Sequence, residues 1–133
     1  MRFNNNVLFV DDEKLILEKI KIKFSDSPLN LFFAENGKKA LKILEKEEIA
    51  VIVSDLNMPN FTGIEFLKIT NSKYPNIPKI IFSIYSEKNF IKSIKKENLY
   101  YYLPKDEIKE KSGYQNKLLP IIKKALNKYN KIN

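Results

Sequence analysis

Apolar residues follow two alternating rhythms along this chain. Five short runs, at 7–10, 31–34, 51–54, 79–83 and 100–103, are rich in β-branched and aromatic side chains. Runs of that length and content read as strands buried on both faces. Between them the apolar positions recur every three or four residues: Leu17, Ile20 and Phe24; Ala40, Leu41 and Leu44; Ile64 and Leu67; Phe90 and Ile94; and finally Leu118, Ile122, Ala125, Leu126 and Tyr129. Each of these segments presents one apolar stripe and so predicts a helix that packs on a sheet. Turn signals fall between the rhythms, at Asn36-Gly37, at Met58-Pro59-Asn60 with Gly63, and at Tyr74-Pro75-Asn76 with Pro78. Pro120 lies inside the last helical pattern, so that helix is expected either to start near Lys117, with Pro120 in its first turn, or to kink.

Strands alternating with helices over short connections describe repeated βα units joined by right-handed crossovers. The expected fold is α/β, a five-stranded parallel sheet with helices on both faces. A single domain spanning 1–133, with a core of about 6–130, is expected at this length. In a parallel sheet all strand C-termini lie on one side, so residues just past them meet although distant in sequence. Asp11 and Asp12 follow the first strand, Asp55 the third, Ser83 ends the fourth and Lys105 follows the fifth. The intervals of 44 (11 to 55), 28 (55 to 83) and 22 (83 to 105) fit two, one and one βα units. In the flavodoxin-like strand order 2-1-3-4-5 the first and third strands are neighbours at the switch point where ligands bind.

Three carboxylates aimed at one crevice repel one another, by roughly 4 kcal/mol per pair at about 4 Å and an effective dielectric near 20. A bound cation or a protonated member has to relieve that cost. The chain has no cysteine and no histidine, which excludes disulfides, thiol chemistry and the usual transition-metal sites. Oxygen ligands alone remain, pointing to magnesium, calcium or manganese. Three carboxylates and the Lys105 ammonium leave two negative charges, which one divalent cation cancels. Magnesium commonly shares its shell between carboxylates and a phosphate, and a lysine and a hydroxyl beside it suit phosphoryl oxygens. An aspartate already ionised at neutral pH can attack phosphorus without a general base.

Net charge is +8, nearly all of the excess being lysine. The lysines alternate with apolar residues at helical spacing, as in Lys88, Lys92, Lys95 and Lys96 around Phe90, Ile91 and Ile94, and so read as solvated helix faces. With a single arginine, direct nucleic-acid binding is not expected. The apolar runs are too short for a signal-peptide core or a membrane span, so a soluble cytoplasmic protein without membrane contact is expected.

The segments Val7-Leu8-Phe9-Val10-Asp11-Asp12-Glu13, Val53-Ser54-Asp55-Leu56-Asn57-Met58-Pro59 with Gly63, Ile81-Phe82-Ser83, and Tyr102-Leu103-Pro104-Lys105 occur in order at matching spacing. In these the chain resembles the receiver domain of two-component response regulators. The resemblance implies a phosphorelay in which Asp55 accepts a phosphoryl group from a sensor histidine kinase or a histidine phosphotransfer protein. It implies Mg2+, with Mn2+ as an alternative, held by Asp12, Asp55 and the backbone carbonyl of Asn57, with Asp11 acting largely through water. Lys105 would pair with the phosphoryl group, Ser83 would donate its hydroxyl, and Ser83 with Tyr102 would switch the surface of the fourth helix, fifth strand and fifth helix. A downstream protein target, or an output domain from which this receiver was excised, would read that surface. The domain would be a monomer or a phosphorylation-dependent dimer. It would catalyse its own phosphotransfer and slow dephosphorylation rather than act as a metabolic enzyme. The alternative is a receiver-like docking module that is never phosphorylated.

Two departures from the family pattern stand out. Many receivers place a proline after this lysine, whereas here the order is Pro104-Lys105-Asp106. The usually small position after Ser83 is Ile84, whose bulk is expected to narrow access to the site and slow phosphate loss. Singly, the residues have plainer uses: Asp-Asp-Glu is a fair helix N-cap, and Ser83 or Tyr102 can be ordinary cap or packing residues.

Overall fold

Parallel pairing unites five strands in the order β2-β1-β3-β4-β5. The computed structural model describes residues 2–56, 58, 63–84, 100–110 and 112–132. In chain order these form β1 (Asn6–Val10), α1 (Lys14–Lys23), β2 (Asn30–Ala34), α2 (Gly37–Lys46), β3 (Val51–Ser54), α3 (Gly63–Lys73), β4 (Lys79–Ser83) and β5 (Tyr100–Pro104). A 3-10 turn (Lys105–Glu107), a π turn (Tyr114–Leu118) and a C-terminal helix (Leu119–Ile132) follow. The helix expected around Phe90 and Ile94 lies outside the described residues.

Every residue of β3 and β4 is buried, as continuous apolar runs require of central parallel strands. Helices cover the sheet largely through the stripes read from sequence: Leu17 and Ile20 of α1, Ala40 and Leu44 of α2, Leu67 of α3, and Ile122, Ala125 and Leu126 of the C-terminal helix are all buried, whereas Ile64 of α3 is only partly buried and Phe66, outside the expected stripe, is fully buried. Phe9 stacks on Phe33 at 5.6 Å between ring centroids and meets Phe24 at 6.2 Å, tying β1 to β2 and to the end of α1. Burying an aromatic of this size stabilises by roughly 1.5–3 kcal/mol, so this trio is a substantial anchor for the strand that delivers Asp11.

Two local details differ from the sequence expectation. Asn36 is the N-cap of α2, its side-chain oxygen accepting the Lys39 N–H at 2.8 Å, rather than only part of a turn. The final helical run begins before Lys117, with the π turn, in which the Leu119 N–H reaches back five residues to the Tyr114 carbonyl. Pro120 comes directly after this wider turn. A π turn opens the carbonyl ladder where the proline ring would otherwise press on the preceding turn.

Candidate functional site

The register of the sheet brings the chemistry together. Val10 pairs with Ser54 and Ser83 with Pro104, so the residues that follow leave the sheet at the same edge. Backbone hydrogen bonds carry the ladder one residue further: the Asp11 N–H donates to the Ala34 carbonyl at 3.1 Å and the Asp55 N–H to the Val10 carbonyl at 3.0 Å. Asp11 and Asp55 are therefore set by sheet geometry, before any side-chain interaction.

Oxygen atoms of Asp11, Asp12 and Asp55 all lie within 4.8 Å of one another, with Asp12 exposed and the other two buried. This is a hard-oxygen donor set of the kind magnesium takes, with one member open to solvent. Asn57 lies outside the described residues. The acidic run is not spent on helix capping. Glu13 occupies the N-cap of α1 without a side-chain cap bond, the first turn has no acidic residue, and the Asp11 carboxylate accepts the Glu13 N–H at 2.9 Å.

Ser83 and Lys105 approach Asp55 from opposite oxygens. Ser83 Oγ donates to Asp55 Oδ1 at 2.7 Å, and Lys105 Nζ lies 3.4 Å from Asp55 Oδ2. The lysine's shortest bond goes elsewhere, to Asp11 Oδ2 at 2.6 Å, with Glu13 Oε1 at 3.9 Å beyond. Burial pushes the Asp11 carboxyl from 3.8 up to about 6, against the downward pull of Lys105 and the Glu13 N–H, while the Asp55 charge adds to the rise. Desolvation lowers the Lys105 pKa, but the hydrogen bond and charge of Asp11, then Asp55 and Glu13, outweigh it and hold the ammonium above its ordinary value of 10.5. The proton thus stays on the lysine at neutral pH, and the ion pair stands.

Gly63 presses against the backbone of this loop. A Cβ there would fall on the Asp55 carbonyl oxygen and come within 2.5 Å of Leu56 Cα, and the Gly63 N–H donates to the Leu56 carbonyl at 3.0 Å. A hydrogen atom is the only side chain that fits. The position reads as a turn-former in sequence, but its demand comes from close approach to Asp55.

Tyr102 is half-buried on β5 and, with the exposed Ile84 and with Pro104, lines an open groove of about 700 Å3 that also carries Asp106, Lys109 and Lys117. Lys105 opens the 3-10 turn, the Ile108 N–H donating to its carbonyl at 3.1 Å. Two neighbours of Lys105 escaped the reading of the sequence: Glu13 and the ring of Phe82. Adjacency to Asp11-Asp12 hinted at the first. Nothing in the sequence separated Phe82 from the other core aromatics.

Among the described residues no helix is long and apolar enough to cross a membrane. The sequence profile of the response regulator receiver domain matches residues 7–112. Sporulation initiation phosphotransferase F of Bacillus subtilis is 34% identical over 92 residues, covering 69% of this chain and 74% of that protein. The DNA-binding transcriptional regulator NtrC of Proteus hauseri is 30% identical over 100 residues, covering 75% of this chain and 21% of that protein. The signal receiver domain of an HD domain-containing protein from Pseudomonas fluorescens superposes with a TM-score of 0.83 at 25% identity, covering 96% of this chain and 98% of that one. The chain spans between 20% and 43% of the length of several transcriptional regulators it matches.

Proposed function

This chain belongs to the response regulator receiver domain family of two-component systems, and on that premise we propose that Asp55 accepts a phosphoryl group from a phosphohistidine of a sensor kinase or phosphotransfer protein. One observation carries the reading. A single buried carboxylate meets a hydroxyl on one oxygen and an ammonium on the other, beside two more carboxylates.

An Asp55 oxygen forms the new bond to phosphorus as the phosphorus–nitrogen bond of the donor breaks, and the imidazole leaves with the electron pair. No proton has to be removed from the nucleophile. Asp11, Asp12 and Asp55 are the side chains that would hold Mg2+, which when bound supplies positive charge to the phosphoryl oxygens. Ser83 then donates to a phosphoryl oxygen in place of Asp55 Oδ1. Lys105 turns from Asp11 to the same group. Ser83 pairs with Pro104 and precedes Ile84, both of which line the groove with Tyr102, so its movement would alter the surface next to β5 where a downstream protein would dock. A cytoplasmic location accords with such partners.

The experiment is incubation with Mg2+ and acetyl phosphate, or with beryllium fluoride as a mimic, comparing wild type with Asp55→Asn. Mass spectrometry should show one phosphoryl group on the wild type and none on the variant. A wild type that takes up no phosphoryl group and shows no Mg2+-dependent spectral change would leave the docking module as the surviving reading.

A further inference from the structure

The buried ammonium of Lys105 has a neighbour that carries no charge. The Phe82 ring centroid lies 5.8 Å from Lys105 Nζ, within the range where the negative face of an aromatic ring attracts a cation. Phe82 is buried, and Tyr114 meets it edge-on, with ring centroids 6.4 Å apart and planes at 71°. Tyr114 is itself buried and opens the π turn, its carbonyl tied to the Leu119 N–H. The ring beside the lysine is therefore braced by the π turn that leads into the C-terminal helix.

We propose that Phe82 is a positioning residue for phosphoryl transfer: braced by Tyr114, its ring keeps the Lys105 ammonium beside Asp55 while that ammonium exchanges Asp11 for a phosphoryl oxygen. The proposal rests on Asp55 being the phosphoacceptor. Its logic is that of an ammonium in a dry site which must change anionic partners. At 2.6 Å the Asp11 contact is the tighter of the two carboxylate contacts, so the ammonium must give up its shortest bond to reach the incoming group, and the Phe82 ring is a contact it can keep through that exchange. An aromatic face attracts the cation without competing for its N–H donors, so it holds position across the exchange. A leucine of similar bulk would fill the space but exert no such pull.

The test uses acetyl phosphate as donor: an Asp55 oxygen bonds phosphorus, the bond from phosphorus to the acetyl oxygen breaks, and acetate leaves with the electron pair. Phe82→Leu, Phe82→Tyr and Tyr114→Leu are compared with wild type for phosphorylation rate at saturating Mg2+, Mg2+ affinity, thermal unfolding, and the proton chemical shift of the Lys105 ε-methylene. Phe82→Leu should phosphorylate about three- to tenfold more slowly, the range expected from losing a partly desolvated cation–π contact. Its Mg2+ affinity should stay within twofold, and the lysine ε-methylene signal should move as the ring current is lost. Phe82→Tyr should restore both rate and shift. Tyr114→Leu, which leaves the ring in place but unbraced, should fall between them, and it carries the test if Phe82→Leu does not fold. A wild-type rate and unmoved shift in Phe82→Leu, or a Phe82→Tyr variant as slow as the leucine, overturns the inference and leaves the phosphoacceptor reading intact. A wild type that takes no phosphoryl group overturns that reading first.

Discussion

Replacing Lys105 with methionine removes the charge and keeps most of the volume. The ammonium sits 2.6 Å from one Asp11 oxygen and 3.4 Å from one Asp55 oxygen. At an effective dielectric near 20 those contacts amount to about 6 and about 5 kcal/mol of gross attraction, most of which offsets the desolvation of three buried groups. Removing one partner of a buried pair leaves a net cost of about 3–5 kcal/mol, so at pH 8 and without metal the variant should melt roughly 10–20 °C lower. Mg2+ binding should move the other way. The Asp11, Asp12 and Asp55 cluster goes from two net negative charges to three, and losing a repelling cation from a site that would hold a divalent ion should strengthen binding by about 1–2 kcal/mol even at a water-like dielectric, or about tenfold. Phosphorylation should nonetheless collapse, because the phosphoryl group loses its ammonium. Melting curves in chelator, titration calorimetry with Mg2+ and phosphotransfer assays read the three effects separately. The reasoning fails if the stability loss is the same at pH 5 as at pH 8, since protonating Asp11 at low pH should relieve most of it.

Asp11 sets a pH dependence of its own. Its folded pKa of about 6 exceeds the ordinary 3.8, so between those values the folded state holds a proton that the unfolded chain has lost. Metal-free stability should therefore fall as pH rises from 4 to 6, by at most about 3 kcal/mol, as read by denaturant melts. Mg2+ affinity should weaken about tenfold per pH unit below 6, because metal and proton compete for the carboxylate; an affinity flat from pH 7 to 5 would refute this. Gly63→Ala should cost about 1–3 kcal/mol in thermal stability and also weaken Mg2+ binding, because relief of the clash must displace the Asp55 carbonyl or Leu56. Ile84→Ala should shorten the phosphoryl lifetime by several-fold as water gains access; an unchanged lifetime removes the steric explanation.

The strands and the apolar stripes were legible because burial on both faces and the 3.6-residue period leave compositional traces that tertiary context does not erase. Placing Asp11, Asp12, Asp55, Ser83 and Lys105 at one sheet edge needed only βα counting. What counting cannot give is which partner each side chain takes. Lys105 lies closer to Asp11 than to Asp55 by 0.8 Å (3.4 against 2.6). Gly63 and Phe82 looked like a turn residue and a core aromatic because their roles arise from atoms brought near from other elements. Pro120 was ambiguous for the same reason: the π turn that accommodates it begins at Tyr114, in a stretch with no periodic signal of its own.

The lysine's preference for Asp11 recasts the electrostatic problem posed by the three aspartates. Clustered carboxylates need a cation, and part of that need is already met from within the chain, since Lys105 pairs with Asp11 at the shortest of its carboxylate contacts. On the proposed reading this internal cation is on loan. Mg2+ held among these carboxylates would give Asp11 another counter-charge, leaving the Lys105 ammonium free to pair with negative charge arriving at Asp55. Metal and phosphoryl group would then bind cooperatively through a single side chain. The linkage has a measurable consequence: Mg2+ should raise the affinity for beryllium fluoride in the wild type by more than it does in Lys105→Met, because only the wild type has an ammonium to hand over.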